Sequence, residues 1–185
     1  SVIGIFDPEE NNFNLNMWSK TDGEEIKKVL KRIDKLKLSK LSEDLLFHVL
    51  FTNAYPPEKN LDSEEFIKIK VNWLIKKKRI VNLETLLTTN PEVGKNSKAI
   101  KFLINEYLSS ADIKSACDKI QFIDRKVQNA YLDKFKIYCL INSDQQEEAQ
   151  LIFELLKERG FKDKFFEDKI NFLLGITETT TQKIL

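Results

Sequence analysis

Ile100-Lys101-Phe102-Leu103-Ile104-Asn105-Glu106-Tyr107-Leu108, followed by Ser109-Ser110-Ala111-Asp112 and then by Ile113 to Ile123, is the stretch that decides the fold. Ile100, Leu103, Ile104, Tyr107 and Leu108 fall at i, i+3, i+4, i+7 and i+8, which puts them on one stripe of one α-helix. Ala116, Ile120 and Ile123 make a second stripe. Between the two lies a short polar segment, with Asp112 placed to cap the second helix through its carboxylate. The reading is helix, tight turn, helix.

Shifting the sequence by 33 residues repeats this unit on both sides. Val71, Ile104 and Ile137 share a column, as do Leu74, Tyr107 and Leu140, and Ile75, Leu108 and Ile141. Leu83, Ala116 and Ala149 follow, then Leu87, Ile120 and Phe153. Each of these residues can sit in a core, and a hairpin of this size buries its apolar stripe only against a stacked neighbour. Asn142-Ser143-Asp144 takes the place of the polar turn in the third unit. Ile170, Leu173 and Leu174 begin a fourth, with Asp163 as its cap and Gly175 as its left-handed end. The expected fold is all-α: tandem antiparallel helical hairpins forming a short right-handed α-solenoid.

Four regions are expected. Residues 1–20 read as an extended segment pinned by Phe6, Phe13, Leu15, Met17 and Trp18. Residues 21–62 read as a divergent or capping hairpin. Its first helix starts at the capping box Thr21-Asp22-Gly23-Glu24 and carries Ile26, Val29, Leu30 and Ile33. Its second is capped by Ser42, carries Leu45, Leu46, Val49 and Leu50, and ends at Tyr55-Pro56-Pro57. Residues 63–175 are the tandem hairpins, the last incomplete. Residues 176–185 are a C-terminal tail, expected to continue in a longer natural protein, and the start at Ser1 without Met reads as that of an excised or processed chain.

Composition limits the function classes. The 185 residues carry 30 basic and 29 acidic side chains for a formal charge of +1. Nucleic-acid binding is disfavoured by that balance and by the presence of only four arginines. No apolar run approaches the ~20 residues of a membrane span. Lysine is abundant, as in proteins of AT-rich genomes, so the run Lys76-Lys77-Lys78-Arg79 reads as a solvated helix end. His48 is the only histidine and sits in an apolar stretch, where a satisfied ring is expected and a metal ligand is not. No phosphate loop or oriented nucleophile is visible, and neither enzyme activity nor a cofactor is expected.

The large, small, large, apolar series Tyr107, Ala116, Ile120 and Ile123, at spacings of nine, four and three, resembles the tetratricopeptide repeat family. The likeness covers roughly residues 64 to 175. It departs from the family in its 33-residue period, in lacking the first-helix glycine and in having the closing proline only at Pro91. The resemblance implies a scaffold for protein or peptide binding, with first helices lining the concave face. On that face Lys68, Lys101 and Lys134 share a column, and Asn72, Asn105 and Tyr138 lie one turn further on. The Lys-x-x-x-Asn spacing is similar to that of domains that clamp acidic C-terminal tails. The alternative for the same column is a solvated ladder of lysines. Gly4-Ile5-Phe6-Asp7-Pro8, Leu50 to Pro57 and Phe165 to Ile170 look similar to long exported helical proteins of alphaproteobacteria, which implies a periplasmic or envelope location. A spacer or self-associating module of an envelope protein is the competing role.

Cys117 and Cys139 are equidistant from residue 128, inside the polar stretch Asp124 to Asn129. Across an antiparallel hairpin they stand at the same height, where packed helices allow a disulfide. Two buried thiols acting as apolar fillers are the other possibility.

Overall fold

The computed structural model describes residues 1–176; the expected tail, apart from Ile176, lies outside them. The fold is all-α. Among the described residues there are nine α-helices: α1 Gly23–Ile33, α2 Lys40–Phe51, α3 Ser63–Lys76, α4 Ile80–Thr89, α5 Ser97–Ser109, α6 Ile113–Asp118, α7 Ala130–Asn142, α8 Gln146–Glu158 and α9 Lys164–Leu173. The chain forms two compact units, Ser1–Leu103 and Ile104–Leu185, and the division falls within α5.

The turns after α3, α5 and α7 share one local geometry. Lys78, Ala111 and Asp144 have φ of 51°, 58° and 58°, the left-handed region, and they stand 33 residues apart. In each turn the next amide donates back five residues, from Arg79 to the Leu74 carbonyl, Asp112 to Tyr107 and Gln145 to Leu140, all at 2.9 Å. This six-to-one bond satisfies a carbonyl that the helix end leaves without a partner. The second helices accordingly begin at Ile80, Ile113 and Gln146, again 33 apart. At the other end, Asp62, Asn129 and Asp163 cap α3, α7 and α9 by accepting from the Glu65, Leu132 and Phe166 amides. Asn96 does the same for α5 through the Lys98 and Ala99 amides.

In the first unit, Phe47 of α2 stacks on Trp73 of α3 with centroids 5.6 Å apart. The Arg79 guanidinium lies 4.1 Å from the Phe47 ring and reaches Asp44 at 3.2 Å. Lys77 pairs with Glu43 and Lys76 with Asp34. The basic run 76–79 thus ties α3 to α1 and α2, where the sequence suggested only a solvated end. Only the start of the N-terminal segment is extended, held at Ile3, which is completely buried, and at Phe6. From Pro8 on it folds back through a 3-10 turn at Glu9–Asn11 and further turns over 15–20, so residues 1–20 are not extended throughout as expected. Leu15 is among the exposed large apolar residues instead of pinning it.

Local details of the 21–62 hairpin differ from expectation. Asp22, not Thr21, caps α1 by accepting from Glu24, and Ser39, not Ser42, caps α2. The cap three residues earlier starts α2 sooner, and the helix ends at Phe51, before the prolines. Its buried residues are Phe47, Leu50 and Phe51, while Leu45 is 64% exposed. The large rings win the inward face because they cover more apolar area against Trp73. Val29 is likewise exposed on α1.

The second unit has a core of Ile137, Leu140, Ala149, Phe153, Leu156 and Ile170. Here α6 is short and passes at Lys119 into a 3-10 turn over Lys119–Phe122. Ala116 is fully buried, but Ile120 and Ile123 are only half-buried, so this second stripe is weaker than its spacing implied.

Candidate functional site

In the first unit a groove of about 600 Å³ is lined by α3 from Ser63 to Asn72, by the 3-10 turn Pro91–Lys95 and by the start of α5. Lys68 and Asn72 of the expected binding column lie in it. Lys68 is exposed and bonds Glu64 one turn earlier at 2.7 Å, which holds its ammonium above its ordinary range. Asn72 accepts from the Lys98 ammonium at 2.6 Å. Lys95 and Lys98 also line the groove, together with Glu64 and Glu92. Sequence reading missed these two lysines. They flank Asn96, the cap of α5, and the capping end of a helix is where its neighbour's groove opens; that is the signal that could have found them.

The other members of the column stand in different surroundings. Lys101 is half-buried on α5 and does not line this groove. In the second unit, Tyr131 donates its hydroxyl to the Asn105 side chain at 2.7 Å. Lys134 reaches Asp163, the cap of α9, at 3.4 Å and lies 5.3 Å from both the Phe161 and Phe166 rings. The Phe166 amide and then Lys134 hold the Asp163 carboxyl below its usual range. Lys134 therefore fastens α7 to the start of α9. Tyr138 lines a separate groove of about 570 Å³ in that unit, beside Cys117 and Cys139.

Those two cysteines are joined, with Cα atoms 5.6 Å apart. The bridge links α6 to α7 across the irregular stretch that holds Asp124 to Asn129. His48 hydrogen-bonds the Asp44 carbonyl through Nδ1 at 2.8 Å, and its ring stacks on Phe6 at 4.7 Å. Among the described residues no group of three or more His, Cys, Asp or Glu could hold a metal ion, and no helix is long and apolar enough to cross a membrane.

No protein-family model, no curated protein and no solved structure matches this chain.

Proposed function

We propose that the protein is a non-enzymatic helical-repeat scaffold, a short tetratricopeptide-like α-solenoid that binds a protein or peptide partner. The observation that carries this reading is the first unit's groove, where Lys68, Lys95 and Lys98 stand around Asn72 beside two helix starts. Three ammonium groups against two carboxylates leave a positive balance. An amide beside them offers both donors and acceptors to a peptide backbone. An extended acidic peptide fits that chemistry. The 33-residue recurrence of the left-handed turn supports the repeat. The Cys117–Cys139 bridge supports an oxidising compartment, in keeping with an exported protein.

The test is a fluorescence-anisotropy titration of a labelled peptide ending in Asp and Glu, at low and at physiological salt. Binding weakened at least ~10-fold by Lys68→Glu with Lys98→Glu, at unchanged melting temperature, supports the reading. Equal affinity for a basic control peptide removes it.

A second reading, a self-associating structural module, rests on α9. Phe165, Phe172 and Leu173 of α9 are 65%, 44% and 43% exposed. Their counterparts 33 residues earlier, Leu132, Cys139 and Leu140, are buried. Sedimentation showing a dimer that Phe172→Glu dissociates would favour this role.

A further inference from the structure

Lys70 is the one fully buried cationic side chain among the described residues. It sits in α3, on the turn between Phe66 and Leu74, and its whole length is inside the first unit. Its Nζ donates to the backbone carbonyl of Ile3 at 2.5 Å and lies 4.4 Å from the Phe66 ring centroid and 5.9 Å from that of Phe51. A backbone carbonyl and two rings are weak compensation for an ammonium removed from water.

No carboxylate among the described residues compensates it. Residues 1–6 carry no ionisable side chain, and Asp7, Glu9, Glu10 and Lys20 further along the N-terminal segment do not act on Lys70. On α2, Glu43 and Asp44 are taken by Lys77 and Arg79, and His48 is bonded to the Asp44 carbonyl. On α3 itself, Glu64 pairs with Lys68 and Glu65 with Lys27. On α4 the ionisable group is Glu84, which does not shift the amine either. Burial alone therefore acts on Lys70 and pushes it down to about 7 from an ordinary 10.5.

The acceptor belongs to a strap, residues 1–6, that crosses the unit rather than being part of a helix. The Ile3 amide donates to Ala54 at 3.1 Å and the Ile5 amide to Phe51 at 2.7 Å. Asn90 donates to the Gly4 carbonyl at 2.9 Å, and a Cβ on Gly4 would lie 2.6 Å from the Asn53 nitrogen. Beyond it, Phe6 meets Phe47 edge-on at 5.1 Å. Lifting the strap would open a path for water to Lys70 and uncover this apolar seat.

We propose that residues 1–6 form a proton-sensitive clasp, in which uptake of a proton by Lys70 favours release of the strap from α2 and α3 and exposure of the Phe47–Phe51 surface. With the strap closed the amine is poorly solvated, and with it open the amine is hydrated. The open state thus binds more protons between pH about 7 and 10.5, and each unit of rising pH inside that window makes opening close to tenfold rarer. Below that window both states are charged and the opening equilibrium no longer depends on pH.

The test is NMR on the isotopically labelled full chain. The Lys70 side-chain signals should titrate near pH 7, and the exchange protection factors of the Ile3 and Ile5 amides should rise roughly fifteenfold from about pH 7 to 8.5. The Val71 and Leu74 amides should stay better protected than the strap throughout. Lys70→Met should flatten the pH dependence at the strap. Gly4→Val, which displaces the strap without touching α3, should return the Lys70 midpoint toward 10.5. The wild-type titration decides the matter even if a variant fails to fold. A Lys70 midpoint above about 10 in the intact chain, flat strap protection across the same pH range, or strap amides as protected as those of α3 overturns the clasp.

Discussion

Cys117 of α6 is covalently joined to Cys139 of α7, 22 residues later in the chain. The helix it secures is only six residues long and runs into a 3-10 turn, so α6 has little intrinsic stability of its own. A loop of this length contributes roughly 3 kcal/mol on the chain-entropy model. Dithiothreitol should therefore lower the melting temperature of the wild type, and Cys117→Ser should melt at that lower temperature with or without reductant. Identical melting of oxidised and reduced protein would show that the bridge stabilises nothing.

Ala116 and Ala149, 33 residues apart, are both fully buried. Aspartate at either site places an unpaired charge where there is no room for water, which costs several kcal/mol, roughly 3 or more. Ala149→Asp should be the worse of the two, because Ala149 belongs to the apolar core around Ile137 and Phe153. Urea denaturation of both variants, with Gln150→Asp as an exposed control, is the measurement. Unchanged midpoints would refute the packing of these second helices.

Ala111 has φ of 58°, a conformation in which a Cβ crowds the following carbonyl. Glycine removes that crowding at the cost of a more flexible unfolded chain. Ala111→Gly should leave the protein stabilised by roughly 0.5–1 kcal/mol. Ala111→Val should do the opposite, since branching at Cβ makes the left-handed region worse. The pair of variants, compared by thermal unfolding, tests the turn geometry directly.

The buried amine of Lys70 predicts a pH-dependent global stability with a definite sign. Its folded value lies below its unfolded value, so the unfolded chain holds the extra proton between about pH 7 and 10.5. Stability from this group accordingly increases with pH across that window and is lowest below it. Lys70→Met shortens the unbranched side chain by one heavy atom and abolishes the charge. At about pH 6 it should be more stable to urea than wild type, by of the order of 2–4 kcal/mol after losing the bond to Ile3. The advantage should shrink as the pH approaches about 10. A variant less stable than wild type in mild acid would mean that the ammonium is better compensated than its surroundings indicate.

The helices and the turns after α3, α5 and α7 were legible in the sequence because what makes them is local. A left-handed turn at Ala111 is closed by an amide and a carbonyl five residues apart, and Asp112 or Asp163 caps a helix whose first amides lie within three residues. Apolar spacing then marks the inward face wherever one stripe dominates, as at Val71, Ile104 and Ile137. Where two stripes compete, as with Leu45 against Phe47 and Phe51 on α2, spacing does not choose. The shape of the facing helix, with Trp73 on it, does.

The candidate site was legible only in part, for the same reason. Lys68 and Asn72 could be named from their column, but what each side chain meets depends on residues far away in the chain. Lys98 reaches Asn72 from 26 residues away, and Asp163 engages Lys134 from 29. Lys70, two residues from exposed Lys68, is polar in type and would pass for surface in any sequence pattern; it is buried because Ile3, 67 residues earlier, lays its carbonyl across it. Period and capping thus follow from the sequence by itself, since they need only neighbours within a helical turn or two. Burial, pairing and proton affinity were decided by the tertiary structure, because a charge is set by everything that replaces its water.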